Sequence, residues 1–444
     1  MKRPFALRAT VKEDQLAHKR MAPGRFIALG FAMVILLGAL LLMLPVSVQE
    51  GQKVSLINAL FTSTSAVCVT GLVVVDPGDT LTPFGQAVLA LLIQIGGLGV
   101  TSVGVGFIIL TGKKIGMRER QLAKEGMNYG TFRGVLAMVK SVLLMTLCFE
   151  AAGTLLSFLS FSRYFEPGKA LWVSLFHTVA AFNNAGFDIL GNMTNLIPYR
   201  QDVLLNLTTC GLIIFGGLGF FVIKDILHTR SPRRYALHTK VVLITTAALL
   251  LAGTLLLRLT DGMDWLTAFF HSTSARTAGF STVVMGNVSG AGLFVLIVLM
   301  FIGASPGSTG GGIKTSTFFV LIKAAYGAAT NKGCTAFKRK LPRDVLDSAF
   351  LLVFLASVAV ATATLALCLA EPETGFEEIL FEVVSAFGTV GLSTGITPDL
   401  SVCSKLVLIL TMFTGRLGPL TIASLWYFRP ASDVSYAEEG VTIG

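Results

Sequence analysis

The chain has 444 residues, 53% of them hydrophobic and only 14% charged, with a mean hydropathy of +0.74. That apolar share excludes an ordinary soluble domain and makes the bilayer the solvent. The net charge of +10 does not mark a nucleic-acid surface, because Lys and Arg gather at the ends of apolar runs rather than on one soluble face.

In chain order, residues 1–24 carry Lys2, Arg3, Arg8, Lys12, Lys19 and Arg20 and read as a cytoplasmic N-terminus under the positive-inside rule. Arg25 opens a first block, residues 25–112. Its apolar run Phe26 to Val46 is long enough to span and too long for the apolar part of a signal peptide. Ser55 to Val67 is too short to cross, Val69-Thr70-Gly71 follows, and a second apolar run reaches from Ala87 to Leu110. Within that run, Gly96-Gly97-Leu98-Gly99 is expected to let helices pack closely. A basic loop, Gly112 to Arg133, returns the chain to the cytoplasmic side. The second block, residues 133–228, repeats the order with the short segment Ala170 to Asn183, the loop residues Asn184-Ala185-Gly186, and a second Gly-Gly-Leu-Gly at Gly216 to Gly219. After the basic stretch His228 to Lys240, the third block, residues 238–330, brings the span Val241 to Leu257, the short segment Met263 to Ser274, and Thr277-Ala278-Gly279. Lys323 to Arg343 is the last basic loop, and the fourth block, residues 343–429, holds the span Phe350 to Leu369, the short segment Gly375 to Phe387, and Thr389-Val390-Gly391. Residues 430–444 are a short polar tail.

A glycine followed by Leu or Phe thus recurs at Gly71, Gly186, Gly279 and Gly391, at intervals of 115, 93 and 112 residues, close to the block lengths. Internal repetition of this kind predicts an all-α integral membrane protein of four helix–pore loop–helix repeats. Its eight spanning helices and four re-entrant pore helices would be arranged pseudo-fourfold around one ion pore. Irregular backbone at membrane depth is tolerated only where it is buried in protein or lines a watery path, so the four loops should meet on one axis. Glycine lets consecutive carbonyls aim inward, and a ring of carbonyls replaces the water shell of a monovalent cation. Thr389-Val390-Gly391 repeats the first three letters of the potassium-channel filter T-V-G-Y-G. With one shared glycine per loop instead of two, fewer ion sites and looser discrimination against sodium are expected. The alternative for any one loop is an ordinary helix-breaking turn.

The third block departs from the others. Gly303-Ala304-Ser305-Pro306-Gly307-Ser308-Thr309-Gly310-Gly311-Gly312-Ile313-Lys314 combines proline with consecutive glycines and does not favour a continuous helix. We expect an unwound intramembrane loop, held by the hydroxyls of Ser305, Ser308, Thr309 and Thr315, that gates the path from below. Arg416, inside the last apolar helix, costs about 2.5–3.5 kcal/mol to insert on translocon scales. It should face the pore, repelling cations and bonding the loop's carbonyls, unless it snorkels to the cytoplasmic surface. Arg276 in the third pore loop and Asp188 after the second are less specific signals, and either is compatible with a simple structural pair at the extracellular mouth.

On the residues above, the chain resembles the Trk/Ktr/HKT superfamily of potassium transporters, most like its KtrB-type membrane subunits. The likeness covers nearly the whole sequence. It implies potassium uptake through a filter of Val69, Thr70, Gly71, Asn184, Ala185, Gly186, Thr277, Ala278, Gly279, Thr389, Val390 and Gly391, with potassium as the only metal. It also implies a gate of Gly303, Ser305, Pro306, Gly307, Gly310, Gly311, Gly312, Lys314 and Arg416. The resemblance further implies a homodimer in the bacterial cytoplasmic membrane, with both termini cytoplasmic. Beneath it would sit a cytosolic ring of nucleotide-binding KtrA-type subunits, and sodium dependence is common among relatives. No G-x-G-x-x-G unit occurs in this chain, so any nucleotide is expected on the partner and no cofactor here. The rival reading is a secondary transporter with alternating access for another small cation or solute, built from inverted repeats. Two spans per block, with the same basic ends inside, argue against it. An enzyme is not expected: the five histidines are scattered and no H-E-x-x-H occurs. The six cysteines have neither paired spacing nor nearby histidines, which argues against a disulfide framework or a metal site.

Overall fold

The structure, a computed structural model, describes residues 23–100, 102–105, 135–229, 231–331, 333–419 and 421–422. The basic N-terminus, the whole loop from Gly112 to Arg133 and the polar tail lie outside the described residues.

The same order of elements recurs four times. A long helix is followed by a short one, an irregular loop, and a helix that stops at or near a glycine. The long helices are α1 (Pro23–Leu42), α4 (Val135–Phe161), α8 (Leu237–Asp261) and α12 (Arg343–Ala370), all four long and apolar enough to cross a membrane. Less than half of each apolar window is buried within the protein. Leu29, Leu36 and Leu40 on α1 and Leu144, Leu147 and Leu155 on α4 point outward, as expected where the surroundings are hydrocarbon rather than water. The short helices are α2 (Leu56–Val67), α5 (Pro167–Phe182), α9 (Trp265–Ser274) and α13 (Phe376–Gly388). They are buried at their C-terminal ends and each packs against the long helix before it.

The third helices are α3 (Pro83–Leu98), α6 (Val203–Leu218), α10 (Gly290–Phe301) and α14 (Val402–Leu417). Thr82, Asp202, Ser289 and Ser401 start them by accepting a backbone N–H three residues on, satisfying one of the donors a helix N-terminus leaves free. Here the structure corrects the expectation of an unbroken apolar run from Ala87 to Leu110. Gly99 takes φ +83° and ends α3, Gly219 at +89° ends α6, and Gly418 at +87° ends α14. Beyond Gly219 the chain turns by 94° into α7 (Phe220–His228). The glycines of the Gly-Gly-Leu-Gly motifs therefore have two duties. A Cβ on Gly96 would overlap the carbonyl oxygen of Val67, and one on Gly216 that of Phe182, so these two admit close packing as expected. Gly99 and Gly219 break the helix. Gly415-Arg416-Leu417-Gly418 is a third copy of the motif, with Gly415 closing on the carbonyl of Phe387 in the same way.

After α10 the chain unwinds over residues 302–314 before α11 (Thr315–Ala329). A two-residue hairpin, Thr335–Ala336 paired with Arg339–Lys340, interrupts the last basic loop. It turns on Phe337 and Lys338, both with positive φ, a small departure from the all-α expectation.

Candidate functional site

Each short helix runs into one of the four glycine loops, and the four share an unusual backbone. The residue two before the shared glycine is left-handed in every case: Val69 at φ +58°, Asn184 at +58°, Thr277 at +78° and Thr389 at +50°. The glycines lie at +87°, +66°, +80° and +95° for Gly71, Gly186, Gly279 and Gly391. A left-handed backbone costs a non-glycine residue about 1–3 kcal/mol, more readily borne by Asn than by β-branched Val and Thr. Three β-branched residues held this way is strain that recurs with the loop rather than by accident. Alternating the sign of φ turns successive peptide planes the same way, so carbonyls that would alternate in a strand line up along one side.

The loops also meet in cyclic order. A Cβ on Gly71 would overlap the carbonyl oxygen of Ala185, and one on Gly186 would lie 2.6 Å from that of Ala278. One on Gly279 would overlap the oxygen of Val390, and one on Gly391 that of Thr70. First loop touches second, second third, third fourth, and fourth first. Each glycine lies within about 3 Å of the next glycine's backbone by the same measure: 3.1, 3.1, 3.0 and 2.9 Å from a Cβ to the neighbouring Cα. Glycine is required here for the closeness of the approach as much as for its φ.

Directly against this ring lies the 303–314 loop. The missing side chain of Gly310 faces the Thr277 hydroxyl, and that of Gly311 the Thr389 hydroxyl. Thr309 donates from its hydroxyl to the Phe182 carbonyl at 3.3 Å, and Ser305 N and Thr309 N bond the carbonyls of Gly217 and Gly216 at 3.0 and 3.3 Å. These last two are acceptors that the end of α6 leaves open. Inside the loop Ser308 donates to the Ser305 carbonyl at 2.6 Å, and Thr315 to the Ser305 hydroxyl at 3.2 Å. The hydroxyls expected to hold the loop therefore do so. Pro306 and Gly307 close on the break at Gly219, with Phe220 N bonded to Gly307 O at 3.1 Å.

Three cationic side chains hold the loop's carbonyls. Lys314 Nζ donates to Gly310 O at 2.7 Å and Arg276 Nη2 to Gly303 O at 3.3 Å. Arg416 donates to Thr309 O and to the carbonyls of Gly96 and Gly97 at the end of α3. Arg416 thus occupies the place of Gly97 and Gly217 in its own copy of the motif, and crosses to cap the first copy. It does not snorkel to the surface. Arg276, buried at the end of α9, also donates to Thr246 O at 3.4 Å and so ties its loop to α8 as well as to the unwound segment. Asp188 does lie outside the ring, accepting from Leu190 N at 3.0 Å and Asn195 Nδ2 at 2.9 Å.

Some of the site escaped the sequence reading. Asn183 Nδ2, beside the second loop, donates to Gln94 Oε1 at 2.7 Å and lies 3.4 Å from the buried carboxylate of Glu150. These polar residues stand on three separate helices with no counterparts in the other blocks, so repetition gave no signal. Among the described residues no group of three or more His, Cys, Asp or Glu is placed to hold a metal ion. The Thr70 and Thr389 hydroxyls and Asn184 Oδ1, all beside the ring, are buried without a protein hydrogen-bond partner.

The model of a family described as cation transport protein, TrkH, matches residues 27–257 and 235–433. The chain is 36% identical to the Ktr system potassium uptake protein B of Bacillus subtilis, over 98% of this chain and 99% of that one. It is 39% identical to the protein of the same name from Vibrio alginolyticus, over 95% and 94%. Among solved structures it is similar to the potassium transporter TrkH of Vibrio parahaemolyticus, with a TM-score of 0.73 at 20% identity over 92% of this chain and 86% of that one, a likeness of fold.

Proposed function

Since this chain belongs to the TrkH/Ktr family of cation transport proteins, we propose that it takes potassium into the cell along the axis of the four-loop ring. The observation that carries this reading is the cyclic contact of Gly71, Gly186, Gly279 and Gly391 with the carbonyls of Ala185, Ala278, Val390 and Thr70. Four strained loops closed on one another surround an axis with oxygens, and oxygens in a ring replace the hydration of a monovalent cation. The names of the Bacillus and Vibrio relatives supply potassium as that cation. On this reading the four long and four third helices are eight spans, the short helices are re-entrant, and the residues two, one and none before each shared glycine are the filter.

The loop 303–314 is the gate, and its position against Thr277 and Thr389 represents the closed arrangement. Arg276, Lys314 and Arg416 engage carbonyls that would otherwise face a cation, and their charges beneath the ring repel it. Opening requires the Thr309 and Gly310 carbonyls to leave Arg416 and Lys314. A homodimer in the bacterial cytoplasmic membrane, with the basic loops docking a KtrA-type nucleotide-binding ring, completes the proposal, and sodium is its activating or coupled ion.

Uptake of rubidium into a bacterial strain lacking its own potassium transport tests this. The chain would be expressed alone and with a KtrA-type subunit, with and without sodium. Saturable uptake raised by the partner is expected. No uptake from verified membrane-inserted protein would contradict the proposal and favour alternating access for another solute.

A further inference from the structure

Three of the four loops carry a brace of their own. Ser65 Oγ accepts from Gly71 N at 3.0 Å and donates to Leu72 O at 2.8 Å. Ser385 Oγ accepts from Gly391 N at 3.0 Å, and Ser274 Oγ donates to Phe280 O at 2.5 Å. The backbone identifies the equivalent residue in the second loop. Thr70 N, Val390 N and Ala278 N donate to the carbonyls of those three serines, and Ala185 N donates to Ala180 O at 2.8 Å. Ala180 has no hydroxyl, so the second loop lacks the brace.

Gly186 is tied from outside instead. Asn195 Nδ2 donates to Gly186 O at 3.3 Å and to Asp188 Oδ2 at 2.9 Å, while its Oδ1 accepts from Leu196 N at 2.9 Å and from Ser281 N at 3.1 Å. Both partners of Oδ1 are N–H donors and both partners of Nδ2 are acceptors, which fixes the orientation of the amide. Ser281 directly follows Phe280 at the end of the third loop, and Leu196 N returns a bond to Ser281 O at 3.1 Å. Asn195 itself sits at φ +49°, a conformation asparagine tolerates. Among the described residues no side chain donates to the carbonyl of Gly71, Gly279 or Gly391, so this tie belongs to the second loop alone.

We propose that Asn195 is a positioning residue for ion recognition, standing in for the missing serine by fixing the second loop's glycine to the end of the third loop. The proposal rests on the reading of the ring as the ion path. Asn195→Ala should raise the apparent KM for rubidium about two- to tenfold, the factor carried by one hydrogen bond, with a smaller change in maximal rate per inserted protein. Asn195→Asp, which removes the donor and sets a second carboxylate against Asp188, should raise it at least as far. Adding Ala180→Ser to Asn195→Ala supplies the internal brace of the other loops and should bring the KM back toward that of the unaltered protein, a rescue that a general packing defect would not show. An unchanged KM in Asn195→Ala, or a raised KM that Ala180→Ser leaves in place, overturns the proposal. If rubidium uptake is absent from the unaltered chain, or indifferent to Gly391→Ala, the ion-path reading itself fails. Uptake that responds to Gly391→Ala but not to Asn195 sinks this inference alone.

Discussion

Replacing Gly391 with alanine places a methyl group against the peptide that joins Thr70 to Gly71. The new Cβ would overlap the Thr70 carbonyl oxygen and lie 2.9 Å from Gly71 Cα, whereas carbon atoms settle at about 3.5–4.0 Å. The first loop must therefore retreat by roughly 0.5–1 Å. To this is added backbone strain at φ +95°, on the order of 1–3 kcal/mol for a residue other than glycine. If that energy falls on the ion-bound arrangement, the apparent affinity drops by about fivefold to a hundredfold, at tenfold for each 1.4 kcal/mol. Concentration-dependent rubidium uptake, with sodium as competitor, measures it. Gly395→Ala is the control: its φ is +108° and a Cβ there meets nothing within 4 Å, so it carries strain without collision. A KM unchanged in Gly391→Ala, or shifted equally in Gly395→Ala, would refute the argument from contact around the ring.

Three further outcomes follow from the same geometry. Gly311→Ala would set its Cβ into the Thr389 side chain and push the loop off the ring, raising flux in the absence of any partner by a factor on the order of ten, or about 1.4 kcal/mol withdrawn from the closed arrangement; equal or lower flux from folded protein would leave the loop a mere hinge. Arg416→Lys keeps the charge but cannot reach the carbonyls of Thr309, Gly96 and Gly97 together, so basal flux should rise, though less than in Arg416→Gln, and equal flux in the two would mean that charge is irrelevant. In the connection between α8 and α9 partial burial works to raise Asp264, but hydrogen bonds from Arg200 and Thr267 and the Arg200 charge outweigh it and hold the carboxyl down at about 2. Its stabilising effect is complete above its ordinary value of 3.8 and is lost as pH falls through about 2. With both side chains about half exposed, solvent screening limits the pair to about 0.2–1 kcal/mol. Thermal unfolding in detergent should show a smaller acid-induced loss for Arg200→Gln than for the unaltered chain.

Repetition made the four loops and their short helices legible in the sequence. The segments Ser55 to Val67, Ala170 to Asn183, Met263 to Ser274 and Gly375 to Phe387 lie within a few residues of the helices observed, because the shared glycine fixed their alignment. Prolines and glycines likewise announced the unwound stretch before Lys314. What composition could not convey was local conformation that opposes residue preference. Nothing in Val69, Thr277 or Thr389 favours a left-handed backbone, and only closure of the ring imposes it. Apolar content concealed the breaks at Gly99 and Gly219, since a run of apolar residues reads the same whether straight or bent. Arg276 bonds the Gly303 carbonyl across 27 positions of sequence, a contact that no local pattern marks. Asn195 gave no signal, lying in an outer connection without an equivalent in the other blocks.

The central claim is that one cation path runs through the ring formed by Gly71, Gly186, Gly279 and Gly391. Anomalous diffraction, or a cryo-EM difference map, from protein prepared in thallium or rubidium in place of potassium tests it most directly. Density on the axis encircled by the carbonyls of Thr70, Ala185, Ala278 and Val390 is the expected result. Transport-competent protein with the ion elsewhere, and none on that axis, would contradict it.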